Sequence, residues 1–485
     1  MLNFIEDSLS TFRNIFSRKA AYHWFVVIVL GLMTRLDSLG VTSIIRALSL
    51  APNKYESLLH FFRSDAFSLR PLKHAWHCLV RKNGQLYRLN GRPLLIGDGT
   101  KHPKEGRHMP GVKKLFQESE NSSKPAYIFG HMYGGVAAVI YREEQYFALP
   151  LDLNIQDGLA ETSQWTQGDP ARSDSHVVQM IRNGYEAASS LGSSYMALDR
   201  YFLTVPALEE LDRLNQEKPL LQIITRAKTS CVAYELPPIS DTPRRGRPRK
   251  KGNSVKLNTL FQSRASEFTK AEARMYGKKE KVEYLCLDLL WGTKLYKKIR
   301  FVLVKSSRGE CILVSTDLSL DPILIIEAYA HRFKIECMFR ELKQQIHVFS
   351  YHFWTKAMPK LKKYKKKEER PELSGVEKET EKKRILKTIE ATERFVLCAS
   401  IAMGLTQMIA LTPDFAETVR TQRYLRTSSK GKVSEATVLD YLRKNIFRLL
   451  YLNRHSGISR LILRLQAPVF EQNINFIPYE NRLNQ

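Results

Sequence analysis

Short apolar runs that stop at an acidic residue, with helical periodicity between them, restrict the fold of this chain more than any other feature. Leu94-Leu95-Ile96 ends at Gly97-Asp98-Gly99, and Tyr195-Met196-Ala197-Leu198 ends at Asp199. Runs of this length beside glycine or an acid read as buried strands, too short for helices. Tyr127 to Ile140, rich in β-branched and aromatic residues and broken by Gly134-Gly135, is another strand, as is Tyr146 to Leu151. Helical spacing from about Ala171 to Ser189 leads into the Asp199 strand, and a helix near Pro206 to Leu214 precedes the strand Leu221 to Thr225. Strands first, then helix and strand in alternation, predict an α/β domain with a mixed sheet.

The flanking sequence differs in kind. Residues 1 to about 90 have apolar residues at three and four spacing, punctuated by Pro52 and Pro71, and read as helices. From about Thr229 to Gly309 the pattern is of β-hairpins interrupted by the basic run from Pro243 to Lys251, an insertion after which the strand Cys311 to Ser315 returns to the main domain. Asp321-Pro322 opens a long helix to about His347, and the charged stretch Lys356 to Lys387 reads as a linker or solvated helix. The expected divisions are therefore a helical region at 1–90, a core at 91–228 and 310–350, an insertion at 229–309, a charged linker at 351–388 and a helical tail at 389–485.

Charge bounds the partner. Lys plus Arg exceed Asp plus Glu by 76 to 49, a net charge of +27, and such an excess is tolerated best against a polyanion. Nucleic acid comes first, because each phosphate neutralised releases counterions. A membrane is the weaker reading. Phe25 to Met33 is too short to span one, and the charge-free run Phe395 to Thr412 carries Ser400, Thr406 and Gln407, so both are expected as buried helices. The six cysteines show no Cys-x-x-Cys pair, which points to a reducing cytosol and away from zinc knuckles or a disulfide framework.

Three acids stand out by position. Asp98 and Asp199 close strands, and Glu336 lies on the long helix. Two acids at strand ends and one on a packed helix supply convergent hard oxygens of the kind Mg²⁺ takes. A single Asp beside Gly is more often a turn residue, so the constellation carries the argument. On the helix, Tyr329, Arg332, Glu336 and Lys343 fall within an arc of roughly 60°. Ile335, Met338, Phe339, Leu342 and Ile346 form the adjoining apolar face. One wall thus offers two cations and a phenol for phosphates beside a carboxylate for metal, where the ordinary alternative is a solvated charged face.

Tyr329-x2-Arg332-x3-Glu336-x6-Lys343 matches the signature of a large group of bacterial insertion-sequence transposases. Asp98 in Ile-Gly-Asp-Gly-Thr resembles the first acidic motif of that family, Asp199-Arg200 resembles the second, and the strand ending at Arg226 follows in both. The resemblance covers roughly residues 90 to 350. It implies an α/β RNase H-like catalytic core interrupted by a β-rich insertion, with helical N- and C-terminal regions. Asp98, Asp199 and Glu336 would be its catalytic, metal-binding acids, with two Mg²⁺ ions, or Mn²⁺ in their place. Tyr329, Arg332, Lys343 and Arg226 would bind DNA phosphates. The implied enzyme is a Mg²⁺-dependent endonuclease and strand transferase performing cut-and-paste transposition, cytoplasmic, nucleoid-associated on DNA, and a homodimer on paired ends through helices of 389–465. Its partners would be the terminal inverted repeats and target DNA, with no membrane. One departure is Cys311, which stands where hairpin-forming relatives carry an aromatic residue that stacks on a flipped base; Trp291 and Tyr296 are the aromatic substitutes.

Arg245-Gly246-Arg247-Pro248-Arg249 resembles an AT-hook, with a phosphate-gripping loop as the alternative. Arg340 is a further candidate DNA contact. Arg70, Lys73, Arg81, Lys82 and Arg88 are candidates for recognising the repeats, by family analogy and charge. Rival chemistries lack their marks: His60 to Arg63 is in the wrong half for a tyrosine recombinase, and His74-Ala75-Trp76-His77 has the wrong spacing for a single-strand transposase. A compact junction resolvase would lack the insertion. A catalytically silent, transposase-derived DNA-binding regulator predicts a lost acid, whereas all three are present.

Overall fold

The structure is a computed structural model that describes residues 1–117, 125–165, 175–238, 249–362, 372–423 and 432–467. Its centre is set by the two most apolar segments of the chain. Helices α1 (Leu2–Ser10), α2 (Lys19–Thr34), α3 (Gly40–Ala47), α4 (Tyr55–Phe61) and α5 (Leu69–Asn83) form the N-terminal region. Every residue of α2 from Phe25 to Thr34 is buried. Much later in the chain a 33-residue helix, Glu379–Leu411, is buried continuously from Ala391 to Leu411 and packs on α2 and α5. A helix apolar on all sides needs a partner on all sides. This one is the candidate among the described residues for crossing a bilayer by length and composition, and its apolar window lies wholly inside the protein.

The sheet lies against that helix. Its strands are β1 (Arg88–Leu89), β2 (Arg92–Pro103), β3 (Lys113–Phe116), β4 (Tyr127–Arg142), β5 (Gln145–Ile155), β6 (Ser194–Leu198) and β7 (Leu221–Arg226). Helices α6 (Ala160–Ser163), α7 (His176–Leu191) and α8 (Val205–Glu217) lie between them in sequence. The core order is β5-β4-β2-β6-β7. β4 runs antiparallel to both β2 and β5, whereas β6 runs parallel to β2 and to β7. This is a mixed α/β sheet, as the alternation of strand and helix demands.

β7 is not an edge. It pairs antiparallel with β13 (Gly309–Ser315), Val314 opposite Thr225, and β13 continues into β12 (Lys297–Ser306), β11 (Lys278–Trp291) and β10 (Thr269–Met275). β8 (Val232–Tyr234), β9 (Ser254–Lys256) and the short helix α9 (Leu260–Ser263) complete this half, which has its own small core around Phe261, Phe301 and Ile312. The helix expected from Asp321 to His347 is continuous but irregular: α10 (Pro322–Ala330), a 3₁₀ turn at 331–333, α11 (Lys334–Glu341) and a π turn at 342–346. Asp321 caps its start by accepting from the Ile323 N–H. The last helices are α12 (Glu379–Leu411), α13 (Pro413–Arg423), α14 (Glu435–Leu452) and α15 (Gly457–Leu465).

Two expectations need correction. The stretch expected to begin a charged linker at 351 is core for its first residues, since Tyr351, Phe353 and Met358 are buried. The tail helix begins at Glu379 instead of Ile389, because Glu379, Lys383, Arg384 and Lys387 line the solvent side of its first turns.

Helix α12 crosses the sheet closely at Gly404, where an added Cβ would lie 2.4 Å from the Trp76 ring. Trp76 is itself buried and donates from Nε1 to the Pro150 carbonyl at 2.9 Å. Gly404→Leu should therefore lower the urea midpoint by an amount equivalent to ~1–3 kcal/mol of overpacking; an unchanged midpoint would mean that the α12 contact is not tight.

Candidate active site

Parallel pairing of β2 and β6 puts Gly97 opposite Leu198, so Asp199, which follows the last residue of β6, lies beside Asp98; the strand expected to stop at Asp98 instead runs on to Pro103, paired with β4 throughout. Glycine makes this geometry possible. A Cβ at Gly97 would meet Met196 at 2.3 Å, and one at Gly135, the β4 partner of Asp98, would meet the Phe339 ring at 2.9 Å. The bare backbone of Gly135 thus lets α11 press its Phe339 onto the sheet directly beside Asp98, which brings Glu336 within reach of it through Arg332.

Arg332 ties the acids together. Its Nη1 donates to Asp98 Oδ2 at 3.1 Å and its Nη2 to Glu336 Oε1 at 2.6 Å. The Gly99 N–H donates to Asp98 Oδ1 at 2.7 Å. Lys343, in the π turn, donates to Thr100 Oγ1 at 2.7 Å, so the far end of the helix is fixed to the same strand. Tyr329 faces Asp199, Arg226 and Cys311 at the β7 side, and burial pushes its phenol up to about 12. The structure therefore brings Asp98, Asp199, Glu336, Arg332, Tyr329, Arg226 and Lys343 to one end of the sheet, while Arg340 points away, exposed and paired with Glu341 at 3.0 Å. A π turn in such a helix is a common mark of a functional site.

Burial pushes the Asp98 carboxyl up to about 6; the Gly99 N–H and Arg332 oppose this, and the Asp199 and Glu336 carboxylates add to it. With Arg226 and Lys343 the further cations of this end of the sheet, Arg332 bridges two of the three carboxylates. Among the described residues no three such groups are clustered tightly enough to hold a metal ion, since Arg332 stands between Asp98 and Glu336. The donor set is nonetheless the all-oxygen kind suited to a hard divalent cation.

Other candidates fall elsewhere. Arg245 and Arg247 lie outside the described residues, and Arg249 lines a surface groove with Lys294 and Tyr296. Tyr296 and Tyr234 surround the Lys251 ammonium, so Tyr296 is remote from the Tyr329 pocket. Trp291 packs between the two cores. The aromatic residue beside Cys311 is Tyr276, which lines the pocket shared by Arg226 and Tyr329 and is stacked by Arg308 at 3.9 Å. Lys73 is not available to DNA: it donates to Asp152 at 2.9 Å and Glu186 at 2.8 Å.

A residue that the sequence did not reveal holds the helix from behind. Arg35, at the end of α2, is fully buried and donates to the Gly40 carbonyl, to Ser43 Oγ, to the Ile346 and His347 carbonyls at 2.6 and 2.8 Å, and to Ser350 Oγ. Arg443 of α14 donates to the neighbouring Gln345 carbonyl at 2.6 Å. Two cations thus cap the carbonyl end of the helix, where its dipole favours positive charge, and His347 closes it in the left-handed conformation at φ 55°.

The sequence profile of the DDE superfamily endonuclease family matches residues 11–281. The chain belongs to this family. The match spans Asp98 and Asp199 and ends before the helix that carries Glu336. Membership implies a nuclease- or transposase-like enzyme whose substrate is DNA. No curated protein matches the chain.

The raised Asp98 pKa fixes a pH dependence. Below about pH 4 the carboxyl is protonated in folded and unfolded chains alike; between about 4 and 6 only the folded chain keeps the proton, so this group's contribution to stability falls as pH rises and stays low above 6. Asp98→Asn should therefore be more stable than the parent above pH 6, by ~1–3 kcal/mol, with the gap closing below about pH 4. Urea midpoints across this range test it, and a gap independent of pH would contradict it.

Proposed function

We propose that this protein is a metal-dependent insertion-sequence transposase that cleaves element ends and transfers the freed strand into target DNA. The observation that carries the reading is the juncture of Asp98, within β2, and Asp199, just past the adjacent parallel strand β6, with Glu336, bound through Arg332 to Asp98. The strand order β5-β4-β2-β6-β7, with β2, β6 and β7 parallel, supports an RNase H-like core made of 91–228 and 310–350. The hairpins of 229–309 are then its insertion. The intact acids favour the enzyme over a silent regulator.

In this reading Asp98, Asp199 and Glu336 would hold divalent cations, Mg²⁺ or Mn²⁺, which when bound would supply activation of the attacking oxygen and charge stabilisation of the leaving one. The protein's own groups do the rest. Arg332 exchanges a carboxylate for a phosphate oxygen when DNA enters, a swap its planar donors make without reorientation of the helix. Lys343 and Arg226 grip phosphates on either side of the scissile bond, and the Tyr329 hydroxyl, held protonated by its burial, donates to one of them. Pairing two element ends calls for two protomers, and the homodimer contact lies outside α12, which the core consumes.

A labelled fragment bearing the element's own terminal repeat, incubated with Mg²⁺ or EDTA, tests this. Mg²⁺-dependent nicking at the repeat boundary is expected, reduced ~100-fold or more in Glu336→Gln while binding persists. Binding without cleavage by either protein would sink the enzyme reading and favour a regulator.

A further inference from the structure

The first helices of the chain and the last described one, α15, meet on one face of the helical region. The Gly457 N–H at the start of α15 donates to Glu6 Oε1 at 2.7 Å, and the Ala51 N–H donates to the Leu465 carbonyl at 2.9 Å. α15 also packs on α2 and α14. From Tyr441 to Ala467 the sequence has six Lys and Arg and no Asp or Glu. Arg454, Arg460 and Arg464 are exposed, and among the described residues none of them makes an ion pair. The N-terminal region adds Arg13 and Lys19, also exposed. Burial lowers the His23 pKa and Lys19, Arg464 and Arg13 lower it further, so these three cations, from different elements, lie on the same side of the helical region. Glu6, turned to the α15 N-terminus, is the acid that α15 meets there.

We propose that this face is a second DNA-binding surface, which grips the phosphate backbone of a duplex segment outside the stretch held at the carboxylates. It rests on the reading of DNA as substrate. Arginines without ion-pair partners among the described residues, on a face whose acid Glu6 is taken up by the α15 N-terminus, form a surface for a polyanion, each contact releasing a counterion. Self-association is disfavoured by the same charges. A two-fold contact sets a patch against its own copy, which here would press arginine onto arginine. α14 links the face to the active site, because its Arg443 holds the Gln345 carbonyl at the end of the Glu336 helix.

The test uses the full-length protein and a fluorescent random-sequence duplex lacking any element end, titrated by anisotropy at several salt concentrations. The variant combines Arg454→Gln, Arg460→Gln and Arg464→Gln; a second carries lysine at all three positions. Three lost phosphate contacts should weaken binding ~10-fold or more and reduce the slope of log affinity against log salt by ~2–3, with the lysine variant restoring both. Unchanged affinity and slope overturn the proposal. So does a glutamine variant that dissociates a dimer in sedimentation velocity, or loses capture by phosphatidylglycerol vesicles, while binding the duplex normally. Nicking of an element end is scored separately: a protein that binds through these arginines but never nicks keeps this surface and loses the transposition reading, and the reverse pattern does the opposite.

Discussion

The parallel pairing of β2 with β6 is the constraint on which the site depends. It fixes Asp98 beside Asp199 by backbone hydrogen bonds alone, before any side chain contributes. Negative charge gathered on a half-buried part of the sheet is costly, and the rest of the site offsets that cost. Arg332 bridges Asp98 to Glu336, the Gly99 N–H holds the other Asp98 oxygen, and burial leaves the Asp98 carboxyl near neutrality. Removing the glycines at 97 or 135 would push apart the layers that make these contacts possible.

The helix that carries Glu336 is held from both ends of the chain. Arg35 reaches it from the N-terminal helices and Arg443 from α14, each donating to carbonyls of its last turn. Behind it, α2 and α12 bury one another's apolar surface and support the sheet. The helical regions are therefore part of the frame of the site, and a movement of either would be felt at Lys343 and Glu336 through rigid contacts.

Much of the site was legible in the sequence because its signals are local. The apolar runs before Asp98 and Asp199 are strands by length alone, although the first continues past Asp98 to Pro103 because β4 pairs with it there, and the apolar stripe of Ile335, Met338, Phe339, Leu342 and Ile346 is buried as its spacing requires. The burial of Phe25 to Met33 and of Phe395 to Leu411 followed from their composition. What escaped was non-local. Arg35 meets carbonyls more than three hundred positions away, and no spacing rule relates them. Lys73 looked like a DNA contact until Asp152 and Glu186, on other elements, occupied it. Tyr351 and Phe353 were hidden in a stretch judged by its charges, although Lys104 donates to the Phe349 and Tyr351 carbonyls and covers the Tyr351 ring. Tyr276 sits in a hairpin whose pairing, not its sequence, brings it to Cys311.

The central claim is that Asp98, Asp199 and Glu336 act as one divalent-cation site for which Arg332 is the internal counterion. Calorimetric titration of Mn²⁺ into the parent protein and into Asp98→Asn, Asp199→Asn and Glu336→Gln tests it without DNA or turnover. The account requires each substitution to weaken binding by ~10-fold or more. Mn²⁺ affinity unchanged in all three variants would contradict it.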